Sequence, residues 1–492
     1  MESKQTEPEL LLTRFGKHTT AALSGAIIVK AMALVLVKVL TILLPKSEYG
    51  AYSIWISFIL LASTFSASAF SATIWRFMPQ RRSSGTMKDA SCLFMTSIYG
   101  SISFILATFV FVFLLDIIGL RIVDDPLYGT TLIIVFFLAI LYVLRELILV
   151  VSGSEQNSRE ILIFNLAFGS SSTVIGCLVG WMFNDYRIVF VGLTVGYAIP
   201  IIISLAIKVR QYGTTSPKLF DFRKSIGFGG PSILMESVKT FVPFITSLII
   251  AAWIGLQEVA TLSIAILLAS VFSFIVNPPL TAYQAYIVNA YEMGSYERGN
   301  EISTIMTESF LLLVSPIVFL MIVFSPLLIL LVSTEQYITA TLLIPFTVIS
   351  AVLLSFSYFW KIQLDLVEKP HFTGITYILS AIILVLLSVL LVPEVGLIGV
   401  GIAMVVQAGF VLVLLHILGN SQLPIRQKRQ FLLPWTLASV TLVTIFYVLH
   451  LWGFPDVVSV SVSLVLYLAI ARATGLFSFQ RVKSIISLLF SR

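Results

Sequence analysis

Long apolar blocks separated by short polar ones dominate this chain. Fourteen blocks stand out: 21–44, 51–75, 91–115, 129–150, 161–183, 188–207, 227–254, 260–287, 309–332, 338–360, 373–392, 396–418, 431–452 and 457–471. A helix needs about 20 apolar residues to cross the hydrocarbon core of a bilayer. Each block except the last, 457–471, meets that length. Several connections are very short, among them 45–50, 184–187, 255–259, 333–337, 393–395 and 453–456. None of the gaps has room for a soluble domain. The pattern predicts an all-α polytopic membrane protein with about 14 transmembrane helices. The polar segment 1–20 precedes a first block with no small-residue cleavage site, so that block reads as a retained helix and not as a signal peptide.

A weak internal repeat divides the blocks. Pro45-Lys46-Ser47-Glu48-Tyr49-Gly50-Ala51-Tyr52-Ser53-Ile54 aligns with Gly255-Leu256-Gln257-Glu258-Val259-Ala260-Thr261-Leu262-Ser263-Ile264, with Glu, Ser and Ile coinciding. Both segments join two long apolar blocks, the first and second in one case, the seventh and eighth in the other. Transporters commonly carry such symmetry. It predicts a cytoplasmic segment 1–20, an N-lobe of six spans over 21–207, a basic linker at 208–226 and a C-lobe of six spans over 227–418. An extra helix pair over 431–471 and a tail at 472–492 complete the chain.

Composition narrows the class further. Charged residues make up 11% of the 492 and apolar ones 58%, against about 25% charged in soluble domains. A soluble enzyme or a nucleic-acid-binding domain is excluded, because a folded surface needs charge to stay solvated. The 30 basic residues also orient the chain. Three lysines fall inside blocks (Lys30, Lys38, Lys239) and three basic residues on one side (Lys46, Arg121, Arg187), and the other 24, with Arg145 near the end of block 129–150 among them, count toward the side of the N-terminus. This asymmetry places both termini in the cytoplasm. Cys92 and Cys177 lie in apolar blocks and read as small packing residues.

The three intramembrane lysines are costly, at least about 2.5–3.5 kcal/mol each on insertion scales. Such residues usually face a bundle interior. Glu236 and Lys239 are three apart and share a helix face. With Lys30 and Lys38 they sum to +2, which predicts an anion-binding cavity between the halves. Glu236 reads either as a partner of Lys239 or as a proton or cation site. Lys38 reads either as a cavity residue or as a side chain snorkelling to the outer surface. Arg76 ends the second span and is a basic anchor or a substrate contact. Pro278 and Pro279 predict a helix break inside the eighth span, with Tyr283 and Tyr286 just beyond it. Asn165 and Gln407 read as helix-packing polar groups.

No phosphate loop, H-E-x-x-H or C-x-x-C occurs, so no ATPase, metal or other cofactor is expected. Outer loops are short and hold no catalytic carboxylate pair, which argues against an enzyme. A non-transporting scaffold would leave the intramembrane lysines without a purpose.

The stretch 23–79, with Leu44-Pro45, Glu48-Tyr49-Gly50-Ala51-Tyr52-Ser53 and Arg76-Phe77-Met78-Pro79, resembles the start of bacterial polysaccharide biosynthesis membrane proteins, the O-antigen-type lipid-linked oligosaccharide flippases. Gly255-x-x-Glu258 followed by Ser263-Ile264-Ala265 resembles their second half. The resemblance implies the superfamily of multidrug extruders and lipid II flippases, and two lobes around a central cavity. It implies a polyprenyl-pyrophosphate-linked oligosaccharide as substrate, moved across the bacterial cytoplasmic (inner) membrane during O-antigen, lipopolysaccharide or exopolysaccharide assembly. It also implies the bilayer and other polysaccharide-assembly proteins as partners, and no nucleic acid. The family often has an Asp about nine residues before the loop Gly; Thr246 stands here, which removes that cation ligand. Lys30, Lys239, Lys38 and Arg76 would then hold the anion, and Tyr283 and Tyr286 would stack on sugars. An ion-coupled multidrug exporter is the alternative.

Overall fold

The computed structural model describes residues 27–84, 87–117, 119, 121–123, 127–155, 157–292, 296–423 and 432–474. Among these residues there are helices and no strands. The chain runs as α1 (27–43), α2 (Lys46–Ser84), α3 (Met87–Ile117), α4 (Tyr128–Ser154), α5 (Ser158–Phe183) and α6 (Tyr186–Tyr212) in the first lobe. The second lobe holds α7 (Leu219–Trp253), α8 (Leu256–Glu292), α9 (Tyr296–Val323), α10 (Ser325–Val332), a 3-10 turn (Glu335–Leu342), α11 (Ile344–Leu366), α12 (Pro370–Val395) and α13 (Leu397–Gln422). A final pair follows, α14 (Leu432–Leu451) and α15 (Asp456–Ala473). Thirteen of the described helices are long and apolar enough to cross a membrane, the last pair included. The helix α1 corresponds to the first expected span.

Two expected boundaries shift. The ninth block is two helices, because Pro326 near the start of α10 cannot donate into the preceding turn and the chain bends at Phe324. The basic linker shrinks to 213–218, since α6 runs on to Tyr212 and α7 already begins at Leu219.

The repeat offset of 210 extends through the structure. Lys46 opens α2 and Leu256 opens α8. Moved by the same offset, α5 and α6 land within two residues of α12 and α13. The hydroxyls of Ser53 and Ser263, exactly equivalent positions in the two repeats, lie 3.0 Å apart. Equivalent residues touch one another only beside the axis that relates the repeats, so this pair marks the axis.

The helix nearest the axis is α2, packed on α3 and α4 of its own lobe and on α7 and α8 of the other. Three of its hydroxyls turn inward on the helix: Ser53, Ser66 and Thr73 each donate to the carbonyl four residues back. This satisfies their hydroxyls where no water is available and leaves a slim surface for close approach. The approach to α7 is close at Gly229, where a Cβ would overlap the backbone of Ala69 on α2.

A proline docks the final pair. Pro316 in α9 lacks the N–H that would bond to the Leu312 carbonyl. The Tyr467 hydroxyl of α15 donates to that carbonyl instead, at 2.9 Å. Beside it, Trp435 Nε1 of α14 donates to Ser315 Oγ at 2.8 Å.

Three glycines within four residues of α7 test the interface. Gly229→Ala should lower the Tm and the yield of folded protein. Gly227→Ala and Gly230→Ala face open space and should be neutral or stabilising by up to about 1 kcal/mol through helix propensity. Equal behaviour of all three in thermal melts would show that α2 and α7 do not pack this way.

Candidate functional site

Glu236 and Lys239 lie on one face of α7, and Lys239 Nζ donates to Glu236 Oε1 at 2.8 Å. Their side chains remain 48% and 43% exposed because they border a cavity of about 660 Å3. That cavity lies among α7, α8, α11, α12 and α13. Its lining residues all belong to the second lobe. The first lobe reaches the cavity rim through Lys30, whose Nζ donates to Ser270 Oγ of α8 at 2.5 Å. Among the described residues no carboxylate neutralises Lys30.

Several cavity residues escaped the sequence reading. Lys361 and Asp365 form a second ion pair at 2.8 Å, one turn apart on α11. The apolar block ended at 360, so Lys361 counted as a loop residue; the helix continues to Leu366. The i,i+4 spacing was the available signal. Lys361 also stands over the Tyr358 ring, and the Tyr358 hydroxyl donates to Gln284 Oε1 at 2.6 Å. Gln407 does more than pack helices: it lines the cavity and donates to Ser380 Oγ at 3.0 Å. Pro243 lines it too, and its missing N–H leaves the carbonyl of Lys239 without its helical donor.

Other expected residues lie elsewhere. Lys38 Nζ donates to the carbonyls of Leu330 and Ser333, at 2.7 and 2.5 Å, and so caps the C-terminal end of α10 from across the lobe boundary. Arg76 is exposed near the end of α2. Tyr283 is fully buried, with its hydroxyl on Ser303 and its ring against Phe359, so it does not face the cavity. The double proline does not break α8, which is helical from Leu256 to Glu292; the neighbouring turns hold the backbone in place. The side chains of Pro278, Pro279 and Tyr286 lie outside the described residues. Arg145, expected in a loop at the basic end, sits inside α4 with its guanidinium over the Phe168 ring. Phe168 in turn stacks on Tyr197, with ring centres 4.1 Å apart. By the 210 offset, Tyr197 is the repeat equivalent of Gln407. Aromatic rings thus fill in the first lobe the level that the second lobe leaves open.

At the basic end the lobes are latched. Arg81 at the end of α2 binds both carboxylate oxygens of Asp221 in the first turn of α7, at 2.5 and 3.2 Å. Cys92, expected as simple packing, directs its thiol to Asp221 Oδ2 at 3.2 Å. Burial pushes the Asp221 carboxyl up, but the hydrogen bonds from Arg81 and Cys92 outweigh it and hold the group below its ordinary value. Next to the latch, the fully buried Lys208 binds Glu155 and Glu160, at 2.6 and 2.9 Å, and ties α6 to the α4–α5 corner.

Residues 15–283 match the model of a family described as polysaccharide biosynthesis protein. No curated protein matches the sequence. Solved structures match along most of the chain. Lipid II flippase MurJ, in an inward closed conformation, aligns with a TM-score of 0.72 at 12% identity, covering 92% of this chain and 97% of that one. An inward-facing multidrug resistance MATE family transporter of the MOP superfamily aligns with a TM-score of 0.66 at 13% identity, covering 82% and 97%. A MOP superfamily transporter from Pyrococcus furiosus aligns with a TM-score of 0.59 at 14% identity, covering 85% and 96%. At these identities the likeness is one of fold.

The latch has a defined pH signature. A carboxyl with a lowered folded pKa stabilises the protein above its unfolded pKa and loses that effect as pH falls through the folded value. Asp221→Asn should therefore lower stability at pH 7 by about 1–3 kcal/mol. The gap to wild type, followed as Tm, should shrink once the pH drops below about 4. A gap that stays constant down to pH 3 would contradict the latch.

Proposed function

The chain belongs to the polysaccharide biosynthesis protein family, and from that premise we propose that it is a flippase for a polyprenyl-pyrophosphate-linked oligosaccharide. It carries a surface-polysaccharide repeat unit across the cytoplasmic membrane by alternating access of the two lobes, with both termini and the basic end in the cytoplasm. The observation that carries this reading is Lys30, an ammonium within a span that among the described residues has only a serine hydroxyl for a partner and stands at a cavity rim. A charge left unmatched there is costly, and an anionic pyrophosphate is the group that offsets it. Lys239 is the weaker anion ligand of the two, because Glu236 already matches its charge.

The remaining residues take roles along the path. Arg76, exposed near the basic end, meets the arriving anion. The Arg81–Asp221 latch closes that end, and the Lys38 contacts with α10 close the other. The polyprenyl tail stays in lipid, along α14 and α15. An inside-negative potential favours outward movement of the anion by about 2.3 kcal/mol per charge per 100 mV. A cationic drug finds little here, since the carboxylate of the cavity lining, Glu236, is matched by Lys239.

Deletion of the gene should leave the lipid-linked saccharide on the cytoplasmic leaflet. Complementation with Lys30→Ala should restore less than a tenth of surface polysaccharide, while Lys30→Arg should restore most of it. Full restoration by Lys30→Ala would defeat the proposal, and altered drug tolerance with normal polysaccharide would favour a multidrug exporter.

A further inference from the structure

The charge balance of the second-lobe cavity says what it holds. Its two cations, Lys239 and Lys361, are each engaged at 2.8 Å by a carboxylate on the same helix, Glu236 and Asp365. The cavity has no spare charge of either sign, so neither a pyrophosphate nor an organic cation is matched by its interior. A polyprenyl chain is no better suited, because burying polar groups against hydrocarbon without hydrogen bonds costs about 1–3 kcal/mol each. What remains is a ligand that is neutral and rich in hydroxyls.

The lining suits such a ligand in detail. Ion pairs present fixed donors and acceptors side by side. Gln407 adds an amide beside Ser380. Ser270 and Thr347 donate to carbonyls of their own helices, which leaves their oxygens as acceptors. The carbonyl at Lys239, without its helical donor because of Pro243, is one more acceptor at the wall. Tyr377 offers an aromatic surface among these polar groups. A volume of about 660 Å3 falls in the usual range for ligand pockets. Lys30 bonds to Ser270 on the cavity wall, so an anion held there is continuous with whatever occupies the interior.

We propose that the second-lobe cavity is a saccharide-reading pocket in which the Glu236–Lys239 pair, Lys361 (its charge matched from behind by Asp365) and Gln407 bind the sugar hydroxyls, while the pyrophosphate stays outside at Lys30. This rests on the flippase reading and divides its substrate into two parts held by different residues. Specificity for the sugar resides in α7, α11, α12 and α13 of the second lobe; the first lobe, filled at that level by Tyr197 and Phe168, contributes none of it.

Purified full-length protein in detergent is titrated with two probes. One is geranylgeranyl pyrophosphate, which has the anion and a tail but no sugar. The other is the polyprenyl-pyrophosphate-linked saccharide extracted from source cells that lack the gene. Wild type should bind the sugar-bearing lipid at least tenfold more tightly. Glu236→Gln, Tyr377→Ala and Gln407→Leu should erase that preference and leave affinity for geranylgeranyl pyrophosphate unchanged, which also reports that they fold. Lys30→Ala should weaken both probes by a similar factor. Cavity variants that weaken both probes equally, or that keep the preference, overturn the pocket. Wild type binding both probes with equal affinity also overturns it but leaves the flippase reading standing, whereas wild type binding neither removes both.

Discussion

Inside a bilayer no water is available to a polar group, so each one must find its partner within the protein. That constraint explains most of the side-chain geometry of this chain. Serines of α2 fold back onto their own carbonyls, and the carbonyl freed by Pro316 is met by a tyrosine from α15. Lys38 finds the end of α10, and Lys239 finds Glu236. Among the intramembrane lysines, Lys30 stands out as a cation that, among the described residues, is held by a hydroxyl alone. A functional reading starts there because all the other intramembrane lysines have a structural explanation.

The spans were legible because apolar length is a property of a continuous stretch of chain. The lobes were legible because an offset of 210 residues repeats both sequence and topology. The Glu236–Lys239 pair was legible because its members lie within one turn. The second-lobe cavity was not, since its wall is assembled from residues as far apart in the chain as Glu236 and Gln407. The Arg81–Asp221 latch was hidden for the same reason, with 140 residues between its halves. Lys361 and Arg145 were misplaced by a different error. The block 338–360 stops at the first charge, whereas α11 continues to Leu366; Arg145 was counted toward the basic end although it lies within its apolar block and within α4.

The two lobes share a plan and differ in filling. Equivalent helices start within a few residues of the offset, and Ser53 meets Ser263 at the axis. Yet Tyr197 stacks on Phe168 and meets Tyr142 edge-on in one lobe while its counterpart Gln407 borders open space in the other. In the proposed carrier, the symmetric scaffold would supply two similar bodies and the difference in filling would supply recognition.

The bond between Tyr467 and Leu312 has a consequence for how the protein is made. Its two residues are 155 apart in the chain. At about 5–20 residues per second, α9 waits roughly 10–30 s after its own synthesis before α15 exists to meet it. For that interval a carbonyl freed by Pro316 lies in the membrane without its final donor. The insertion machinery, a neighbouring helix or a trapped water must shelter it, and the nascent chain is most open to quality control in that window. The last helix pair therefore acts as the closing stitch of assembly, and a chain truncated before it would be recognisable to the cell as unfinished.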